Sequence, residues 1–68
     1  MLNKTEIARL MKLSDNSKKK INLQTSKGVL QCEFLWFKNN DTIDIREIKN
    51  NQILSISRIH WDKLTLVK

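Results

Sequence analysis

The chain has 68 residues, 13 of them Lys or Arg against 7 Asp or Glu, for a formal charge of +6 at neutral pH. That length allows one domain and one core, and a chain of this size buries only about 60% of its unfolded surface, so its stability margin is thin. A single cysteine, Cys32, excludes an intramolecular disulfide, and Cys32 with His60 are too few soft ligands for a structural zinc site.

The first element is a helix expected over residues 2–14. Asn3 can cap it, and Glu6 three residues on makes an Asn version of the capping box. Leu2 and Ile7 have the spacing of a hydrophobic staple, and Ile7, Leu10 and Met11 form an apolar stripe at i, i+3, i+4. Ser14, Asp15, Asn16 and Ser17 favour turns and end the helix. A segment this short is not stable alone, so its stripe must dock on something.

Residues 15–20 form a basic linker that includes Lys18, Lys19 and Lys20. The period then changes from helical to two. Ile21, Leu23 and Thr25 alternate with Asn22, Gln24 and Ser26, the signature of a half-buried strand. Ser26, Lys27 and Gly28 make the first turn, where the only glycine supplies a positive φ. Val29 to Phe37 is the longest strand candidate, with Leu30, Cys32, Phe34 and Trp36 on one face. Its other face starts polar and ends apolar, which suits a bent strand. Lys38 to Asp41 makes the next turn.

A third strand spans Thr42 to Ile48 with Ile43 and Ile45 inward, and Ile48 breaks the alternation, placing a bulge or strand end near Glu47. Asn50 and Asn51 tolerate the left-handed conformation of a hairpin turn. Gln52 to Ile59 is a fourth strand, His60 to Asp62 a short break with one 3₁₀ turn, and Leu64 and Leu66 mark a fifth strand. Short strands at regular spacing favour a barrel or sandwich, and in this length only a small, highly bent barrel closes. Residues 21–68 are therefore read as a five-stranded antiparallel barrel, and the whole chain as one mainly β domain.

The order of residues resembles the Sm-like fold, a small SH3-type barrel, over Asn3 to Val67. The run from Gly28 to Phe37, a glycine leading into a long bent strand, is similar to the first Sm signature, with small Cys32 where that family places a second glycine. Lys38-Asn39-Asn40-Asp41 supplies the asparagine that the family uses in the following turn to hold a base. Ile56-Ser57-Arg58-Ile59 supplies the arginine of the second signature, without its glycine. The β region is also similar to the small barrels of YolD-like and WYL-type bacterial proteins. The Sm-like resemblance implies contact of Asn40 and Arg58 with nucleic acid. It also implies ring assembly, with the fourth strand of one subunit paired to the fifth of the next.

The residues themselves point the same way. Residues 1–27 hold seven Lys or Arg against Glu6 and Asp15, whereas residues 28–68 hold six against five, so the excess charge belongs to the helix and its connection. A clustered excess of this kind suits an anionic partner. Arg9, Lys12, Lys18, Lys19, Lys20 and Lys27 are the candidates for phosphate contact, which gives affinity without sequence reading. Trp61, in the break beside His60, is open between an exposed platform for base stacking and a partly buried core position, whereas alternation with Phe34 places Trp36 in the core. His60 has no Ser or Cys arranged as a nucleophile, and Asp41 and Asp44 fall on opposite faces of a strand, so no acid–base pair forms. A non-enzymatic module without cofactor is expected, self-associating and binding RNA or DNA.

No apolar run is long enough to span a membrane, and Lys4, Glu6, Arg9 and Lys12 interrupt any signal-peptide core. A reducing cytoplasm fits the lone cysteine. Ile, Lys and Asn account for 25 residues, a bias of low-GC bacteria and their phages or plasmids. Two alternatives stand. The first is a protein-interaction module, such as a phage-encoded inhibitor of a host protein or an assembly subunit. The second is a helix-turn-helix regulator whose recognition helix runs from Asp15 through the lysines.

Overall fold

The computed structural model describes residues 2–13 and 17–67. Helix α1 spans Lys4–Met11 and opens with the expected capping box: Glu6 N–H donates to Asn3 Oδ1 at 2.8 Å, and Asn3 N–H donates to Glu6 Oε1 at 3.0 Å. Two of the orphan donors at a helix start are thereby satisfied. Leu2 and Leu10 are buried in the core and Ile7 packs against it, which is how an eight-residue helix is held. Met11, expected on the same stripe, is 55% exposed. Leu2, entering from outside the helix, completes the docked face in its place. The helix is shorter than the expected 2–14, with Lys12 as its C-cap; residues 14–16 lie outside the described residues.

Five strands follow: β1 Lys20–Thr25, β2 Gly28–Asn39, β3 Thr42–Glu47, β4 Gln52–Ser57 and β5 Leu64–Leu66. They form one antiparallel sheet in the order β4-β3-β2-β1-β5. Among the described residues no ladder joins β4 to β5, so the expected barrel is not closed by hydrogen bonds and the sheet keeps two edges. Because Lys20–Thr25 is a strand, a recognition helix through the lysines does not form, and the helix-turn-helix alternative falls. Among the described residues no helix is long and apolar enough to cross a membrane.

The turns explain their residues. Gly28 has φ +120°, and a Cβ built there would meet nothing within 4 Å, so it is the backbone conformation and not space that calls for glycine. Thr25 ties the turn by donating its hydroxyl to the Gly28 carbonyl at 2.7 Å and accepting the Lys27 N–H at 3.2 Å. Asn51 takes the expected left-handed conformation at φ 54°.

The core gathers Leu2, Leu10, Ile21, Cys32, Phe34, Ile43, Ile45, Trp61 and Leu64. Strand β2 is the element whose reading changes most. Its register against β3 shifts between Phe34 and Trp36 and again between Phe37 and Asn39. An extra residue in one strand moves all later side chains to the opposite face. Trp36 therefore leaves the core, contrary to its alternation with Phe34, and pairs with Asp44 on the far face. Phe37 takes the core position instead, edge-on to Phe34 with ring centroids 5.5 Å apart and to Trp61 at 6.0 Å. The irregularity expected near Glu47 is simply the end of β3; the bulges lie in β2. Strand β4 stops at Ser57, two residues before the expected Ile59, because a six-residue 3₁₀ segment, Arg58–Lys63, begins there. That segment turns Trp61 into the core.

Candidate nucleic-acid interface

Three of the candidate cations converge. Arg9 and Lys12, on the last turn and cap of α1, and Lys19, just before β1, line one open groove of about 410 Å³. Leu10, Leu13, Leu66 and Val67 are the apolar part of its lining, so the helix and β5 supply opposite sides. The helix end also explains two of these cations locally, since positive side chains complement the C-terminal dipole. The remaining charged lining residue, Glu6, has its carboxylate engaged in the capping box. Among the described residues, no ion pair involves Arg9, Lys12 or Lys19.

The other cations are placed differently. Lys20 opens β1 opposite Glu33, with Nζ 3.8 Å from Glu33 Oε2, and Arg46 on β3 donates to the other oxygen of the same carboxylate. Glu33 thus sits between two cations on the non-core face. The Arg46 hydrogen bond, with the charges of Arg46, Lys20 and Lys18, holds its pKa below the ordinary value. Lys18, exposed and at φ 63°, adds to this local field. Lys27 belongs to the β1–β2 turn, at the far end of β1 from Lys20. Six residues of strand separate the two ends by roughly 20 Å.

Asn40 and Arg58 are brought together, but by backbone and by a carboxylate neighbour. The Arg58 guanidinium donates to the Asn40 carbonyl at 2.6 Å and to Asp41 Oδ1 at 3.1 Å, while the Arg58 amide donates to the Asp41 carbonyl at 2.7 Å. The result is a clamp between the β2–β3 turn and the end of β4. The same guanidinium lies 4.5 Å from the centroid of the Trp61 ring, within cation–π range. Trp61 itself is only 4% exposed and donates its indole N–H to the Ile56 carbonyl at 3.0 Å. It is a core residue capped by arginine, and the reading of Trp61 as a stacking platform is corrected. His60 is exposed.

Sequence reasoning missed Glu33 and Arg46, whose meeting depends on strand register, and Leu66 and Val67, which reach the helix only through β5. The Cys32 thiol is buried in the core, where burial and the nearby Glu47 carboxylate push its pKa to about 11. It is neutral and shielded at physiological pH. Comparison of the chain with protein-family models, with curated proteins and with solved structures finds no match to any of them.

Proposed function

We propose that the protein is a small non-enzymatic nucleic-acid-binding module with an Sm-like or SH3-type layout, contacting phosphates of RNA or DNA through Arg9, Lys12 and Lys19. The observation that carries this reading is their convergence on one groove, where among the described residues none of the three is in an ion pair, while Lys20, Arg46 and Arg58 are engaged by Glu33 and Asp41. Cations already paired within the protein have less to gain from a phosphate; unpaired ones release counterions from the nucleic acid at full value. A short capped helix followed by one antiparallel sheet with a long bulged second strand agrees with the layout on which the resemblance rests.

A salt titration tests it. Three phosphate contacts on a single strand give a slope of log affinity against log salt of about −2, and on duplex DNA about −2.7. Replacing Arg9, Lys12 or Lys19 by Ala should each lower the slope by about 1 and weaken all sequences alike. Lys27→Ala should leave the slope unchanged. Binding that ignores ionic strength, or none at low salt, rejects the reading.

A second reading, a protein-interaction module, draws on the apolar lining that Leu13, Leu66 and Val67 give the groove. A stoichiometric protein partner that survives nuclease treatment and is lost on Leu13→Asp would favour it.

A further inference from the structure

Strand β4 is an edge of the sheet, six residues long, with the sequence Gln-Ile-Leu-Ser-Ile-Ser. Soluble proteins usually guard such an edge with a charge, a proline or a bulge, because its outward amides and carbonyls invite another strand. Here none of these is present. No residue of β4 is charged or proline, and its register against β3 runs without a shift from Thr42↔Ser57 to Glu47↔Gln52. Two isoleucines stand in solvent beside it, Ile53 on the strand at 56% exposure and Ile59 just beyond it at 79%.

The phase of the outward groups follows from one hydrogen bond. The Arg58 amide donates to the Asp41 carbonyl, which makes Asp41 and Arg58 a hydrogen-bonded pair continuing the ladder. Hydrogen-bonded and non-bonded pairs alternate in an antiparallel ladder. Leu54 and Ile56 therefore direct their backbone groups at β3, whereas Ile53, Ser55 and Ser57 direct theirs away from the sheet. The opposite edge offers less. Val67 donates to the Lys20 carbonyl, so the three-residue β5 turns only Leu64 and Leu66 outward.

We infer that β4 pairs with β4 of a second copy, antiparallel about a twofold axis at Ser55. In that register Ser55 meets its own counterpart, Ile53 meets Ser57 of the other copy, and all three outward residues exchange backbone hydrogen bonds. Leu54 falls opposite Ile56 of the second copy on the core side, extending each core across the seam. The charges permit it. A molecule with a net charge of +6 meets its own copy most readily where no cation stands, and β4 carries none. Arg58, the nearest, falls opposite the neutral Gln52 and is engaged by Asp41. Beyond the seam, repulsion between copies is screened within about 8 Å at physiological ionic strength. The contact is self-complementary and closes at two, unlike a fourth-to-fifth strand contact, which propagates to a ring or filament.

The inference goes beyond nucleic-acid binding and does not depend on it, since the test is run without nucleic acid. Sedimentation velocity over a range from low micromolar to millimolar protein should show a reversible monomer–dimer equilibrium. Ile53→Lys, at an exposed position, should weaken dimerisation about tenfold or more by setting a charge on the seam. Adding Ser57→Glu to that variant should restore it, because the two new charges face each other only across the twofold register; Ser57 makes no side-chain cap that the change would remove. Amide exchange should slow with protein concentration at Ile53, Ser55 and Ser57 but not at Leu54 or Ile56. Circular dichroism checks that each variant folds. A monomer throughout the range, an assembly larger than two, a dimer indifferent to Ile53→Lys, or a double variant that stays monomeric each overturns the inference.

Discussion

Trp36 donates its indole N–H to Asp44 Oδ2 at 2.9 Å, on the face of the sheet away from the core. Ser55 donates to the other oxygen of the same carboxylate at 2.7 Å, so one acid on β3 ties the strands on either side of it. Asp44 is only 7% exposed, which makes each of these bonds costly to leave unmade. Asp44→Ala should destabilise the protein by about 1–3 kcal/mol, because it strands the indole N–H and removes the serine's acceptor. Asp44→Asn keeps one acceptor and should lose less. Urea denaturation compares the two, and equal stability of Asp44→Ala and the native protein would show that water replaces the acid without loss.

Glu33 predicts how stability responds to acid. Its pKa in the folded protein is lowered from an ordinary 4.5, first by the Arg46 hydrogen bond and then by the charges of Arg46, Lys20 and Lys18, with burial opposing. A carboxylate lowered on folding contributes stability that is complete above its unfolded value and is lost as pH falls through the folded one. The stability difference between the native protein and Glu33→Gln should therefore be largest near pH 7 and shrink from about pH 4.5 downward. Denaturant midpoints at pH 7, 5, 4 and 3 measure it. A difference constant across that series would mean the ion ladder does not stabilise the fold.

Cys32 predicts the opposite dependence at high pH. Its pKa rises from 9.0 to about 11, chiefly by burial and secondly by Glu47. A thiol raised on folding contributes stability that is intact below pH 9.0 and is lost as pH climbs towards the folded value. At pH 8 the native protein should react with a thiol reagent only as fast as it opens, and urea should raise the rate to that of a free cysteine. Immediate reaction of the native protein at pH 8 would contradict the burial.

Local signals were legible and long-range ones were not. Asn3 and Glu6 announce the helix start because both partners of the capping box lie within one turn. The strands show in their period of two, and Gly28 and Asn51 mark turns through conformations that few residues accept. Alternation failed at Leu35, where the extra residue that reverses the phase of Trp36 and Phe37 leaves no mark in the local pattern. Trp36 is misplaced by alternation, and Trp61 stays open between platform and core, for related reasons. Trp36 follows a bulge, and Trp61 lies in a 3₁₀ segment whose facing depends on how β4 and β5 are joined. Of the candidate interface, the cations were visible as charge, but their division into paired and unpaired sets was not. That division depends on Glu33 and Asp41 coming from other strands and turns.

The two register shifts have a metric consequence. The eight residues from Cys32 to Asn39 run against only the six from Thr42 to Glu47. A ribbon with unequal sides cannot lie flat, and the surplus of two residues, roughly 7 Å of chain, has to be absorbed as bend and twist. The curvature of this sheet is thus written as a difference in arc length between neighbouring strands, held at Leu35 and Lys38. Shortening β2 at those two places would equalise the sides and remove the bend that the surplus imposes.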